Sequence, residues 1–238
     1  MHSEIETLKT WITESDNIVF FGGAGVSTES GIPDFRSVDG LYHQKFDYPP
    51  ETILSHSFFY SHTEEFYRFY REKMLPLDAK PNAAHLALAK LEQEGKLKAI
   101  VTQNIDGLHQ KAGSKCVYEL HGSIWRNRCQ RCGKQYPPEF IRDYKGVPHC
   151  DCGGLIKPEV VLYEEPLAER DITDAVNFIR KADVLIVGGT SLAVYPAAGL
   201  LRYYEGRKLV LVNMGATSYD ESADLLIREK IGKVFSEV

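Results

Sequence analysis

The chain has 238 residues, 43% of them hydrophobic, and a formal net charge of −5 at pH 7. This length allows a substantial core in one large domain, or in one that carries a small insertion. The charge argues against nucleic acid as a partner, because phosphate binding needs a clustered positive surface. Since no signal peptide or membrane-length apolar run is visible, we expect a cytoplasmic monomer with no membrane contact.

The chain opens with the pattern of a short amphipathic helix. Ser3 and Glu6 stand at capping-box spacing, and apolar residues follow at helical intervals. A continuous apolar run over 18–21 then predicts a buried parallel strand that ends in a glycine loop. Asn82 is predicted to cap the next long helix, and Gly95 to end it.

The alternation of strands and helices continues to the end of the chain. Strands are predicted over 99–101, 184–187 and 209–212, and helices around 175–179 and 197–204. Such alternation is typical of a parallel sheet that is covered by helices on both faces. The sequence therefore predicts an α/β fold.

Two segments interrupt this pattern and suggest a small domain. The stretch 40–75 is rich in aromatic residues at partly helical spacing, which favours a helical lid, and 127–157 contains four clustered cysteines and several prolines. We therefore expect the large domain to consist of 1–39, 76–126 and 158–238.

The clustered cysteines predict a metal site. Cys129 and Cys132 are separated by two residues, and Cys150 and Cys152 by one. Five cysteines in total, an odd number, favour a metal in a reducing compartment over a disulfide framework. Four thiolates leave no open coordination position, so the predicted zinc ion is structural. His149 in place of one thiolate is a minority alternative.

The glycine loop after the first strand has the composition of a diphosphate-binding turn. Its residues 22–25 let backbone N–H groups approach an anion, although a plain tight turn explains the glycines equally well. The usual dinucleotide fingerprint wants a further glycine where this chain has Thr28, so an ordinary dehydrogenase is disfavoured. Asn104 and Asp106 follow the strand 99–101, at the end where parallel sheets bind ligands, but could also be turn formers or caps.

Several motifs together resemble the sirtuin family, in the pattern of its single-domain bacterial and archaeal members. The run 23–36 (GAGVSTESGIPDFR) is similar to the sirtuin signature over its whole length, and the family's other motifs follow in order at 102–109, 121–122, 189–192 and 212–213. The resemblance implies an inverted Rossmann-like large domain, a small domain made of the zinc module and a helical part, and an NAD cleft between them.

The resemblance also implies an activity. Sirtuins are NAD-dependent protein-lysine deacetylases, which consume NAD and release deacetylated lysine, nicotinamide and O-acetyl-ADP-ribose. It makes His121 the general base and Asn104 its catalytic partner, which orients the ribose and a water. Asp106 would bond the nicotinamide carboxamide, and Gln103 the ribose. Imidazole suits a general base near neutral pH, but among eight histidines only the resemblance selects His121.

The resemblance assigns further residues to NAD and to an acetylated protein or peptide. The expected NAD-binding residues are Gly23, Ala24, Gly25, Thr28, Asp34, Phe35, Arg36, Gln103, Asn104, Ile105, Asp106, Gly189, Thr190, Ser191, Asn213 and Ile231. The expected peptide-binding residues are Val161, Tyr163, Leu192 and Val194, which lie on two segments that sandwich an extended substrate.

The chain departs from the usual family pattern at two places, and its lid lacks a feature of one specialised group of family members. The family usually has two residues between the last two cysteines, and glycine at the position of Glu164. Family members that remove succinyl groups have a tyrosine and, three residues later, an arginine in the lid. Here Tyr67 is followed by Tyr70, which favours acetyl or other uncharged acyl groups, and we expect Arg68 and Arg71 to face elsewhere.

Two other classes of function compete. An NAD-dependent protein ADP-ribosyltransferase of the same fold explains nearly as many motifs, since it breaks the same glycosidic bond. A zinc-ribbon binding module explains only the cysteines, and it would need neither Asn104 nor His121.

Overall fold

The computed structural model describes residues 2–34, 40 and 46–238. A six-stranded parallel sheet forms its centre, with strand order β3-β2-β1-β7-β8-β9. The strands are β1 (Ile18–Gly22), β2 (Leu97–Thr102), β3 (Val117–Glu119), β7 (Val184–Gly188), β8 (Leu209–Val212) and β9 (Leu225–Ile227). The helices around it are α1 (His2–Glu14), α5 (Ala83–Gln93), α6 (Leu108–Ala112), α8 (Glu169–Lys181) and α9 (Ile231–Phe235).

Helices cover both faces of this sheet. Alternate residues of each strand point to opposite sides, so each strand contributes buried side chains to both faces. Phe20 packs in one core with residues of α1, α5 and α9. The next residue, Phe21, packs in another core with residues of α8 and of a 3₁₀ helix, Ala197–Tyr203. The predicted α/β fold with a Rossmann-like parallel sheet covered on both faces is confirmed.

A second, three-stranded antiparallel sheet lies outside the parallel one, in the order β5-β4-β6. Its strands are β4 (Gly122–Cys129), β5 (Gln135–Tyr136) and β6 (Ile156–Val160). Four helices accompany it: α2 (Pro50–Ile53), α3 (His56–Ser61), α4 (Thr63–Lys73) and α7 (Pro138–Asp143).

The helical segment and the cysteine-containing insertion share one hydrophobic core. Aromatic residues of α3 and α4 pack there against Ile124, Ile141 and Ile156. This core also contains Val160 and Leu162, which the predicted boundaries assign to the large domain. The two segments that interrupt the sequence pattern therefore fold against each other.

Local signals in the sequence had mixed outcomes. Asn82 caps α5 as predicted, since its side chain accepts a hydrogen bond from the N–H of Ala84 at 3.0 Å. The predicted capping box at Ser3 is wrong: α1 already includes His2, and the Ser3 hydroxyl donates to Glu4 instead. Every helix in the described part of the chain is too short or too polar to cross a lipid bilayer.

Candidate active site and zinc centre

The glycine loop after β1 lies against the loop after β7. The N–H of Gly25 donates to the carbonyl of Gly189 at 2.8 Å, and the N–H of Gly23 donates to that of Gly188 at 3.2 Å. Gly189 has a φ of 58°, and a Cβ there would lie 2.4 Å from the backbone nitrogen of Val26. Only glycine permits this approach, which joins the two loops at the carboxyl edge of the sheet.

A cavity of about 560 Å³ opens at this edge. Its wall contains residues from the ends of β1, β2, β7 and β8 and from the segment that follows β6. It includes these predicted site residues: Gly23, Ala24, Gly25, Thr28, Asp34, Gln103, Asn104, Ile105, Asp106, His121, Val161, Tyr163, Gly189, Thr190, Ser191, Val194, Asn213 and Ile231. Phe35 and Arg36 lie outside the described residues.

Asp106 and Asn104 share one hydrogen-bonding partner, the hydroxyl of Ser27. This hydroxyl donates to Asp106 Oδ2 at 2.7 Å and accepts from Asn104 Nδ2 at 3.1 Å. Burial raises the pKa of Asp106, while the N–H of Leu108 and the Ser27 hydroxyl lower it by stabilising the carboxylate. Each residue is only 8% exposed, so these hydrogen bonds lie in a largely buried part of the cavity wall.

His121 is held through its main chain and its ring. Its Nδ1 lies 3.0 Å from the carbonyl oxygen of Gln103, which can only accept, so Nδ1 carries the proton and Nε2 is the basic nitrogen. Burial lowers the pKa of His121, although the bond to Gln103 partly opposes this. The imidazole is therefore a neutral base at neutral pH.

Gly122 and a main-chain hydrogen bond from Val161 fix the position of His121. Gly122 has a φ of 76°, and a Cβ there would lie 2.0 Å from the carbonyl oxygen of Glu159. The N–H of Val161 donates to the carbonyl of His121 at 2.8 Å. The base and the predicted peptide-binding segment are thus directly bonded to each other.

The two predicted peptide-binding segments differ in how they meet the cavity. Val161, Tyr163 and Val194 line it. Leu192 does not: it is 2% exposed and packs in the core beneath α8, with a φ of 54°. Its neighbours, rather than its own side chain, reach the cleft.

The lid tyrosines also lie away from the cleft. Tyr67 and Tyr70 are fully buried among the aromatic residues of the second core, where the Tyr67 hydroxyl donates to the carbonyl of Ile156. Neither side chain lines the cavity, because the helix turns that face toward the core, and the preference for uncharged acyl groups stays a prediction. Arg68 and Arg71 point elsewhere, as predicted, and bond to Asp47 and to main-chain carbonyls respectively.

The four clustered cysteines converge at the ends of β4 and β6. The sulfur atoms of Cys129, Cys132, Cys150 and Cys152 all lie within 4.8 Å of one another, and two pairs lie 3.5 Å apart. Thiolates at about 2.3 Å from one tetrahedral zinc ion are separated by about 3.8 Å, so the set fits zinc despite the short second spacing. His149 is exposed and lies outside this set.

Two residues that no sequence motif singles out, Ser27 and Trp125, hold the site together. Ser27 is 1% exposed and bridges Asn104 and Asp106. The indole nitrogen of Trp125 donates to the carbonyl of Asp106 at 2.7 Å. Ser27 lies within the signature run, but nothing in the sequence indicates that its hydroxyl faces residues 77 and 79 positions away.

Known proteins resemble this chain over its whole length. An NAD-dependent protein deacetylase of Clostridium acetobutylicum is 63% identical over 239 residues, covering 99% of this chain and 98% of the relative. One from Clostridium perfringens is 59% identical and covers 100% and 99%.

Solved structures agree with these relatives. A Sir2 structure with a deacetylated p53 peptide and 3′-O-acetyl-ADP-ribose has a TM-score of 0.91 at 42% identity, covering 98% of this chain and 96% of that one. A Sir2 structure with a p53 peptide and NAD⁺ has a TM-score of 0.87 at 44% identity, with the same coverage. The family model described as "Sir2 family" matches residues 23–196. The chain belongs to the Sir2 family, the sirtuins.

Proposed function

We propose that this protein removes acetyl groups from lysine side chains of proteins or peptides and consumes NAD in doing so. Relatives of 59–63% identity over nearly the whole chain are NAD-dependent protein deacetylases. The observation that carries the proposal is the cavity itself, in which a neutral histidine and a buried Asn–Asp pair lie at the carboxyl ends of the parallel strands.

The two glycine loops fit the diphosphate of NAD. The cavity wall there consists of Gly23, Ala24, Gly25 and Gly189, so main-chain atoms border the space directly. Bound NAD supplies a glycosidic bond whose cleavage releases nicotinamide. Gln103 is held for ribose contact by its amide, which donates to the hydroxyl of Thr190 at 3.0 Å.

Asp106 and Asn104 suit the binding of nicotinamide and ribose. The Asp106 carboxylate already accepts from Ser27 and from the Leu108 N–H, and it can accept a further bond from a carboxamide. The Asn104 amide donates to Ser27, which leaves its oxygen to orient a ribose hydroxyl or a water. The burial of this pair excludes solvent from the bond that breaks.

His121 acts as the general base. Its Nδ1 proton is committed to the Gln103 carbonyl, so Nε2 accepts a proton from a ribose hydroxyl. The lowered pKa keeps this nitrogen unprotonated in neutral solution. Asn104, Asp106 and His121 line the same cavity.

The acetylated peptide occupies the cleft between Val161–Tyr163 and Val194. Both segments line the cavity, and the first is bonded to the His121 main chain. Main-chain pairing with an extended peptide recognises little of its sequence, so we expect broad tolerance around the acetyl-lysine. Cys129, Cys132, Cys150 and Cys152 bind a structural zinc ion that stabilises the small domain, made of the helical part and the cysteine insertion.

Mass spectrometry of an acetylated peptide incubated with NAD and the protein tests this function. We expect the deacetylated peptide, with one nicotinamide and one O-acetyl-ADP-ribose for each acetyl group lost. The same peptide carrying ADP-ribose would instead indicate an ADP-ribosyltransferase. An unchanged peptide with no nicotinamide released would contradict both activities.

A further inference from the structure

Glu164, in the cavity wall, has an unusual backbone conformation. Its φ is 74°, in the left-handed region that side chains with a Cβ rarely adopt. Such a conformation persists only where the surrounding structure holds the residue in place. The contacts of Glu164 show what holds it.

The Glu164 carboxylate bonds twice to a single residue of α3. Its Oε2 accepts from the N–H of Ser57 at 2.8 Å, and its Oε1 accepts from the Ser57 hydroxyl at 3.0 Å. Both oxygens are therefore committed to one partner, which belongs to the helical part of the small domain. The side chain ties the segment after β6 to that helix.

The neighbouring main chain continues this connection. The N–H of Tyr163 donates to the carbonyl of Leu54 at 2.9 Å, and the carbonyl of Tyr163 accepts from the N–H of His56 at 2.9 Å. One edge of the segment is thus paired with the helical part. Its other contacts include the bond from Val161 to the His121 carbonyl, which connects the same segment to the catalytic base.

We propose that Glu164 is a positioning residue for the acylated peptide. Its two hydrogen bonds to Ser57 hold the segment 161–164 in the conformation with which the peptide pairs. This inference rests on the proposed function, which places the peptide along that segment. A preformed binding edge reduces the ordering that the peptide must otherwise impose when it binds. Loss of the Glu164–Ser57 hydrogen bonds should therefore weaken peptide binding without disturbing NAD binding.

Three variants at this position separate the carboxylate from the backbone conformation. Glu164→Ala removes the hydrogen bonds to Ser57 and keeps a side chain for which this φ is unfavourable. Glu164→Gly also removes the hydrogen bonds, but glycine adopts this φ freely. Glu164→Gln retains an acceptor for the Ser57 N–H and a donor for its hydroxyl. Ser57→Ala removes one of the two bonds. Ser61→Ala, in the same helix, is its matched control, because the Ser61 hydroxyl bonds to Ser57 and His62 within the helical part.

Steady-state kinetics with an acetyl-lysine peptide, and calorimetry with NAD, provide the readouts. We expect KM for the peptide to rise about fivefold in Glu164→Ala and Glu164→Gly, the scale of one or two lost hydrogen bonds. The kcat at saturating peptide and the Kd for NAD should hold in both variants. Glu164→Gln and Ser61→Ala should match the wild type, and Ser57→Ala should fall between.

Two results would overturn the inference. An unchanged peptide KM in Glu164→Ala and Glu164→Gly would show that the Glu164–Ser57 hydrogen bonds do not position the substrate. A KM that Glu164→Gly restores to the wild-type value would assign the effect to backbone strain alone. Neither result affects the proposed function, whose failure would appear separately as a wild-type protein that does not deacetylate the peptide.

Discussion

The imidazole of His121 donates its Nδ1 proton to the main-chain oxygen of Gln103, 3.0 Å away. Because a carbonyl cannot donate, this bond fixes the tautomer and makes Nε2 the basic nitrogen. The Gln103 side chain takes no part in this contact, since the acceptor is its main-chain oxygen. The catalytic tautomer is therefore set by the strand end, and side-chain changes at position 103 should leave it intact.

The lowered pKa of His121 predicts the pH dependence of the reaction. A base works when unprotonated, so kcat/KM should be constant through neutral pH and fall only on the acid side, with an apparent pKa below the usual histidine value of about 6.5. A pH profile of kcat/KM for the acetyl peptide measures it. An acid limb centred above about 6.5 would contradict the burial of the free base.

Ser27→Ala should impair nicotinamide placement more than it impairs phosphate binding. The change removes a 2.7 Å bond to Asp106 and leaves the Asn104 amide without its acceptor, a loss of about 1–3 kcal/mol at a buried site. Calorimetry should show weaker NAD binding with ADP-ribose binding nearly unchanged. Ser114→Ala is the matched control, because the buried Ser114 hydroxyl has no hydrogen-bond partner among the described residues. Equal losses for both ligands would mean that Ser27 supports the loop as a whole.

Cys129→Ala should destabilise the fold and lower activity together. Zinc held by four thiolates contributes folding free energy, on the order of 10 kcal/mol in small zinc domains, so losing one ligand should cost at least several kcal/mol. The melting temperature and the zinc content per chain are the measurements. Cys116→Ala, outside the cluster, should change neither. A stable, zinc-free Cys129→Ala protein that has lost only turnover would indicate a catalytic metal instead.

The buried pair His85 and His109 should make the protein sensitive to acid. Their rings lie 4.8 Å apart, and three of their four ring nitrogens have no hydrogen-bond partner in the part of the chain that the structure describes. Burial lowers the pKa of His85 to about 4 and that of His109 well below its usual value. The unfolded chain protonates both near 6.5, so the free energy of unfolding is intact above that pH and falls toward pH 4, by up to roughly 2.7 kcal/mol per pH unit.

Urea denaturation across this pH range tests the pair. His109→Leu replaces one titrating group with an apolar side chain of similar size. The urea midpoint of this variant should depend less on pH between about 4 and about 6.5. His2→Leu, at an exposed position of α1, should leave the dependence unchanged. An equally steep dependence in His109→Leu would show that other groups control acid unfolding.

The sequence predicted the central sheet because its strands are continuous apolar runs. The runs at 18–21, 184–187 and 209–212 all became buried strands. β3 and β9 were missed, since strands of three residues leave too short a pattern to recognise. The helix expected over 197–204 is a 3₁₀ helix over 197–203, a distinction that apolar periodicity does not make.

Motif order predicted which residues gather in the cleft, but not the contacts that hold them. The glycine loop, Asn104 and His121 meet there because they follow parallel strands, whose carboxyl ends share one edge. The bridging hydroxyl of Ser27 depends on the packing of distant segments, which no local pattern encodes. The same is true of Tyr70, whose helical position is visible in the sequence although the face that packs inward is not.

Turnover of an acetyl-lysine peptide by His121→Ala tests whether His121 is the general base of a deacetylase. The variant should keep its fold and bind NAD with nearly wild-type affinity, because His121 serves the reaction and not the phosphates. Its kcat should fall by about a hundredfold or more, the scale expected when a general base is lost. Turnover close to wild type in a folded, NAD-binding His121→Ala protein would contradict the assignment of His121 as the base.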